Sequence, residues 1–132
     1  MSVTKLSDHK KSKKSQLEKK LYDQIVDAGF PLPVCAFTGD GKQYRFYPGR
    51  LWRMDFAWPD LKIGIECQGG LWAGKGHGGG TAYRNDRIKS AYAQFGGWIY
   101  LEASTDMIRD GMAIDLLKVA FTVRKYGYER ID

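Results

Sequence analysis

The chain of 132 residues reads as an α/β domain in the order helix, three strands, helix, strand, helix. Three features predict that class. Residues 53–68 alternate with a period of two on both sides of Pro59-Asp60, the pattern of an antiparallel hairpin. Apolar stripes at helical spacing precede this hairpin once and follow it twice. The stretch between the hairpin and Trp98-Ile99-Tyr100-Leu101 suits a helical crossover, so the last strand should run parallel to its neighbour.

Taken in order, residues 1–14 read as a flexible basic arm and residues 15–132 as one domain. Ser15-Gln16-Leu17-Glu18 has the form of a capping box, with Ser15 at the N-cap and Glu18 three residues on. Leu17, Leu21 and Ile25, with Val26 beside them, form the stripe of a first helix that Gly29 ends. Residues 30–34 read as a rigid connector, and Gln43 to Tyr47 as a first strand. Thr81 is the expected cap of a second helix carrying Ile88, Ala91, Tyr92 and Phe95, closed by Gly96-Gly97. Ser104, Thr105 or Asp106 should cap one last helix with Ile108, Met112, Leu116, Val119 and Phe121 along it, ending near Gly127.

The hairpin carries the chemistry. If Pro59-Asp60 alone is the loop, position 58 faces 61 and 55 faces 64. Asp55, Gly64, Glu66 and Gln68 then share a face, since directly opposed residues of an antiparallel pair do. Asp55 and Glu66 become diagonal neighbours, and Gly64 leaves the space between them empty. Two carboxylates around such a gap suit a hard divalent cation. A solvated outer sheet face would also alternate polar residues.

Composition narrows the classes further. Hydrophobic residues at 43% and aromatics at 14% argue for a folded body. No apolar run approaches the roughly 20 residues needed to cross a bilayer, and no secretion signal is visible, so the cytoplasm is the expected location. Cys35 and Cys67 are the only cysteines, a spacing that is neither a zinc pattern nor a disulfide framework. Net charge is +6, of which residues 1–20 carry +5 through seven lysines against Asp8 and Glu18. Lys10, Lys11, Lys13 and Lys14 therefore suit a polyanion, whose counterions they would release.

Of the twelve residues 69–80, seven are glycine. Gly69, Gly74 and Lys75 nearly spell a phosphate-cradling loop, but Gly76 stands where Ser or Thr is required. The loop is better read as placing Lys75 and His77 against a nucleic-acid backbone.

The text Phe46-Tyr-Pro-Gly-Arg-Leu-Trp-Arg-Met-Asp-Phe-Ala-Trp-Pro, followed by Gly-Ile-Glu-Cys-Gln-Gly-Gly, Gly-Lys-Gly-His, Asn-Asp-Arg-Ile-Lys and Gly-Trp, resembles small phage and prophage endonucleases of the PD-(D/E)XK superfamily. These are similar to very-short-patch-repair-like nucleases, and the resemblance covers about residues 15–110. It implies a restriction-endonuclease-like αβββαβ core with a mixed central sheet flanked by helices, plus a C-terminal helix. It also implies a Mg²⁺-dependent DNA endonuclease of a bacterial or phage-infected cell, with Mn²⁺ as a substitute.

By that resemblance Asp55, Glu66 and the backbone carbonyl of Cys67 would hold the metal. Gln68 stands where the family usually has lysine, and Lys89 on the next helix is the candidate replacement, unless it pairs with Asp86. Glu18 matches a first-helix glutamate that joins the metal site in some relatives, and its cap role explains it equally well. His77 is a candidate general base. Arg50, Arg53, Arg84 and Arg87 would contact phosphates. A homodimer and a separate specificity-conferring protein are both compatible with this reading. Its alternatives are a structure-selective nuclease for branched DNA and a DNA-binding module whose chemistry is lost, which the glutamine at 68 keeps open.

Overall fold

A computed structural model describes residues 13–68 and 79–126. Helix α1 (Lys13–Asp27) precedes five short strands: β1 (Val34–Cys35), β2 (Tyr44–Arg45), β3 (Arg53–Met54), β4 (Phe56–Trp58) and β5 (Ile63–Gln68). Helix α2 (Gly79–Phe95) then leads to β6 (Ile99–Ser104), α3 (Thr105–Arg109) and α4 (Met112–Tyr126). The class is mixed α/β as the sequence predicts. A four-stranded sheet runs β1-β4-β5-β6, and β2-β3 form a separate two-stranded ribbon. The first two pairings of the sheet are antiparallel, while β5 and β6 are parallel over six residues, the expected crossover.

The hairpin register differs from the expected one by two positions. Trp58 pairs with Ile63 and Ala57 with Gly64, so the turn holds residues 59–62. The reason lies in Pro59. Both tight two-residue turns, I′ and II′, need positive φ at their first centre, and the pyrrolidine ring fixes φ near −65°. The chain instead makes two successive turns, Leu61 N–H to Trp58 C=O and Lys62 N–H to Pro59 C=O, and leaves at Lys62 with φ +51°. A slip of two keeps every residue on its face, so Asp55 and Glu66 remain together.

The sheet is buried on both sides. One side packs Phe56, Trp58, Ile63, Ile65 and Cys67 against Leu17, Leu21 and Ile25 of α1, Ile108 of α3 and Leu117 of α4. The other packs Ala57 against Phe46, Met54, Ala93 and Trp98, with Tyr44, Tyr47, Trp52 and Tyr100 around them. The polar positions of the hairpin thus lie under an aromatic layer, and a solvated outer face is not what they form.

Other boundaries moved for local reasons. Residues 13 and 14 belong to α1 rather than to an arm, so Ser15 lies inside the helix and the capping box does not form. Gly29 does end it, with φ +84°. The strand expected at 43–47 is only Tyr44–Arg45, and it joins the ribbon rather than the main sheet. The edge strand β1 occupies part of the expected connector. Thr81 lies within α2, and Phe95 is 77% exposed while Ala93 is the buried residue. The expected last helix is two. Ser104 caps α3 by accepting from Met107 N–H, and Gly111 with φ +88° separates α4. The buried stripe of α4 is Ala113, Leu117 and Ala120, and Met112 and Val119 are exposed. Among the described residues no helix is long and apolar enough to cross a membrane.

Candidate functional site

Asp55 sits at the break between β3 and β4, where the ribbon hands over to the main sheet. Continuing the β4–β5 register by one step sets it opposite Glu66, and continuing the β2–β3 register sets it opposite Gln43. The two acids are the only buried charged residues among those described, at 4% and 7% exposure.

Burial on this scale requires partners, and the fold supplies them from four elements and from Gln43 just before β2. Gln43 Nε2 donates to Asp55 Oδ1 at 2.8 Å, the Cys67 backbone N–H donates to Oδ2 at 2.9 Å, and Lys14 Nζ lies 3.2 Å from Oδ2. Lys89 Nζ donates to Glu66 Oε2 at 2.6 Å, and Tyr100 of β6 stands close enough to feel the Glu66 charge. Lys14 reaches back to Glu18 Oε2 at 3.8 Å.

Three carboxylates therefore face two ammonium groups. Burial, then the negative charge of Asp55, pushes the Glu18 carboxyl up to about 7, against the pull of Lys14. Burial and Asp55 raise the Glu66 carboxyl above the usual range as well, although Lys89 opposes them. For Lys14, burial alone would lower the ammonium, but Asp55 and Glu66 outweigh it and hold the group above the usual lysine range. Burial, then Glu66, pushes the Tyr100 phenol up. Burial alone would raise the two glutamates and the phenol, so it is Lys14, raised against burial, that reports the negative charge around it.

An open cleft of about 420 Å³ lies over these groups, lined by Asp55, Glu66, Lys14, Gln43, Lys89 and Asp86 among others. Gly64 does not provide its space as expected. It pairs with Ala57, and a Cβ there would run into Met54 Sδ, so methionine fills that volume. The room is above the carboxylates, toward Arg53, Trp52 and Asn85.

The other expected residues fall into three groups. Lys89 joins the site, and it does so by pairing with Glu66 rather than Asp86. Glu18 joins it too, since the absent capping box leaves the side chain for Lys14 and Asp55. Gln68 turns aside: its Nε2 donates to Glu102 Oε2 at 3.2 Å, the same oxygen that Arg87 holds at 3.1 Å. Arg50 stacks over the rings of Trp52 and Tyr92, Arg53 lines the cleft, and Arg84 is exposed on α2. Lys13 opens α1, exposed. Lys10, Lys11, Lys75 and His77 lie outside the described residues.

Sequence reasoning missed Gln43, Tyr100 and Glu102, and it placed Lys14 in an arm. A signal existed for the β6 pair. Tyr100 and Glu102 alternate with Ile99, Leu101 and Ala103, and the parallel register sets Glu102 beside Glu66.

The donor set can be tested against Mg²⁺. Among the described residues no three His, Cys, Asp or Glu side chains group closely enough to cage an ion. Mg²⁺ is the hard cation that asks for least, one or two carboxylates with the remaining positions held by water. Asp55 receives three donors, and a carboxylate offers about four lone-pair directions, so acceptor capacity remains on a residue that lines the cleft. Surplus negative charge favours the ion further. The Cys67 thiol is no ligand, being buried and pushed up by burial and by Asp55.

No family model matches the chain, and no solved structure matches it. It is 31% identical over 85 residues to uncharacterized proteins of Mycobacterium tuberculosis, one from strain CDC 1551 / Oshkosh and one from strain H37Rv. The aligned part covers 64% of this chain and 28% of each relative. The chain thus spans little more than a quarter of the length of the curated relatives it matches.

Proposed function

We propose that the chain is a divalent-metal-dependent endodeoxyribonuclease with a restriction-endonuclease-like core. The observation that carries this is the meeting of Asp55 and Glu66, buried on one face of adjacent strands beneath an open cleft, with Lys89 of the following helix 2.6 Å from Glu66. The order of the main sheet supports it: three antiparallel strands, a helix, then a parallel strand.

In this reading Asp55, Glu66 and the Cys67 carbonyl hold Mg²⁺. The ion would lower the pKa of a water and offset charge on the phosphate. The chain's own residues do the rest. Gln43 and the Cys67 N–H fix the Asp55 carboxylate, and Lys89 fixes Glu66. Lys89 presents the ammonium that the glutamine at 68 does not, within reach of a phosphate oxygen. In the hydrolysis a water oxygen would add to phosphorus as it gives a proton to solvent, the P–O bond to the leaving oxygen would break, and that oxygen would take a proton from solvent.

Supercoiled plasmid incubated with Mg²⁺, Mn²⁺ or EDTA tests this. Nicking is expected with either metal and not with EDTA, and Asp55→Ala should abolish it while a gel shift persists. Wild-type protein that shifts DNA but never cuts it would overturn the enzyme. One observation favours that second reading, a DNA-binding module: both carboxylates already carry a lysine partner, so the resting site is compensated without an ion.

A further inference from the structure

The β2–β3 ribbon has a feature its own stability does not explain. Arg45 and Arg53 are directly opposed partners across it, and both are exposed, while their neighbours Tyr44 and Met54 turn inward. Like charges directly opposite in an antiparallel pair are destabilising. Among the described residues no carboxylate pairs with either arginine; Arg45 reaches only the Arg50 carbonyl at 2.9 Å. Lys42 extends the same surface, also without a carboxylate salt bridge, and a second cleft of about 400 Å³ lies among the three cations, with Asp40 the one acid on its wall. That cleft shares Gln43 and Arg53 with the cleft over Asp55 and Glu66. Gln43 is also the residue that holds Asp55.

We infer that the outward face of this ribbon is a binding track for the phosphodiester backbone, with Arg45, Arg53 and Lys42 gripping the phosphates next to the one held over Asp55 and Glu66. This rests on the nucleic-acid reading above and deepens it. A polyanion explains the opposed arginines, because each phosphate placed between them converts repulsion into two charge-assisted contacts. The ribbon is well placed for this. Its inward face is anchored in the aromatic layer, so the arginines project from a fixed edge, and the shared wall at Gln43 and Arg53 makes one continuous path between the clefts.

The test is equilibrium binding of a fluorescein-labelled DNA duplex to the full chain in EDTA, by anisotropy across a salt series. Loss of two phosphate contacts should flatten the slope of log K against log salt by roughly 1.8. Arg45→Gln with Arg53→Gln should show that loss and bind at least about tenfold more weakly at low salt. Arg45→Lys with Arg53→Lys should keep the slope, which separates charge from damage to the ribbon. Arg109→Gln with Lys118→Gln removes the same charge from helices on the other side of the sheet and should leave the slope near wild type. A wild-type slope in the glutamine double variant overturns the track while leaving the nuclease reading intact. A wild-type protein with no salt-dependent affinity for DNA overturns both.

Discussion

Replacing Lys89 with methionine keeps an apolar stem of the same length and removes the ammonium from a contact of 2.6 Å. Both side chains of the pair are well shielded, at 14% and 10% exposure. Breaking such a buried pair from one side costs about 3–5 kcal/mol, because it leaves an uncompensated charge. A proton can replace the lost cation, which places the loss at the lower end of that range, about 3 kcal/mol at pH 8.

The sign with pH follows from Glu66. Its folded-state carboxyl already titrates above its ordinary value, by burial and Asp55, and without Lys89 it rises further. A carboxyl raised on folding opposes folding only where the unfolded chain has lost the proton. The penalty is therefore absent below the ordinary value of 4.5 and grows as pH climbs toward the folded value. Each pH unit in that window changes stability by about 1.4 kcal/mol. Urea melts of wild type and Lys89→Met at about pH 5 and about pH 8 should give a difference below about 1 kcal/mol at the lower pH and near 3 at the higher. Equal losses at both would show that Lys89 acts through packing and that the charge argument is wrong.

Three further outcomes are expected. Saturating Mg²⁺ at about a hundred times its Kd should stabilise the wild type by about 2.7 kcal/mol, a rise of roughly 10 °C in melting temperature for a body of this size; the same rise in Asp55→Asn would mean that the ion binds elsewhere. Gly64→Ala should cost about 1–3 kcal/mol by driving Cβ into Met54, and Met54→Ala should recover part of it in a double-mutant cycle of urea melts. Arg124→Ala should cost about 1–2 kcal/mol without changing DNA affinity, because Arg124 donates to the carbonyls of Leu61, Lys62 and Gly97 and so ties the hairpin turn to the turn before β6; altered anisotropy binding would place it in the DNA surface instead.

What could be read from the sequence was what parity and period carry. Asp55 and Glu66 share a face under any even slip of the hairpin, so their meeting was legible even though the loop length was not. The loop length follows from Pro59 only once positive φ is demanded of the first turn residue, a constraint the two-residue reading left out. Two-residue strands leave no period to read, and so β1 went unrecognised and β2 was expected longer than its two residues. The aromatic layer that buries the site face is assembled from Phe46, Trp52, Tyr92, Trp98 and Tyr100, residues far apart in sequence, and no local window contains it. Lys13 and Lys14 looked like an arm because they continue a run of charge. Their helical state depends on Leu17, Leu21 and Ile25 anchoring the turns that follow.

The glutamine at 68 then has a physical account. Position 68 faces β6, where Glu102 is its neighbour and Arg87 already satisfies one Glu102 oxygen. A lysine there would be drawn to Glu102 and away from Glu66. The positive charge at the acidic pair comes instead from two helices, Lys14 of α1 beside Asp55 and Lys89 of α2 beside Glu66. Both helical lysines line the cleft over the acidic pair, whereas the side chain at 68 is turned to Glu102. Supplying the charge from the helices offsets the buried acids, and it lets the strand position carry an uncharged amide at no electrostatic cost to the pair.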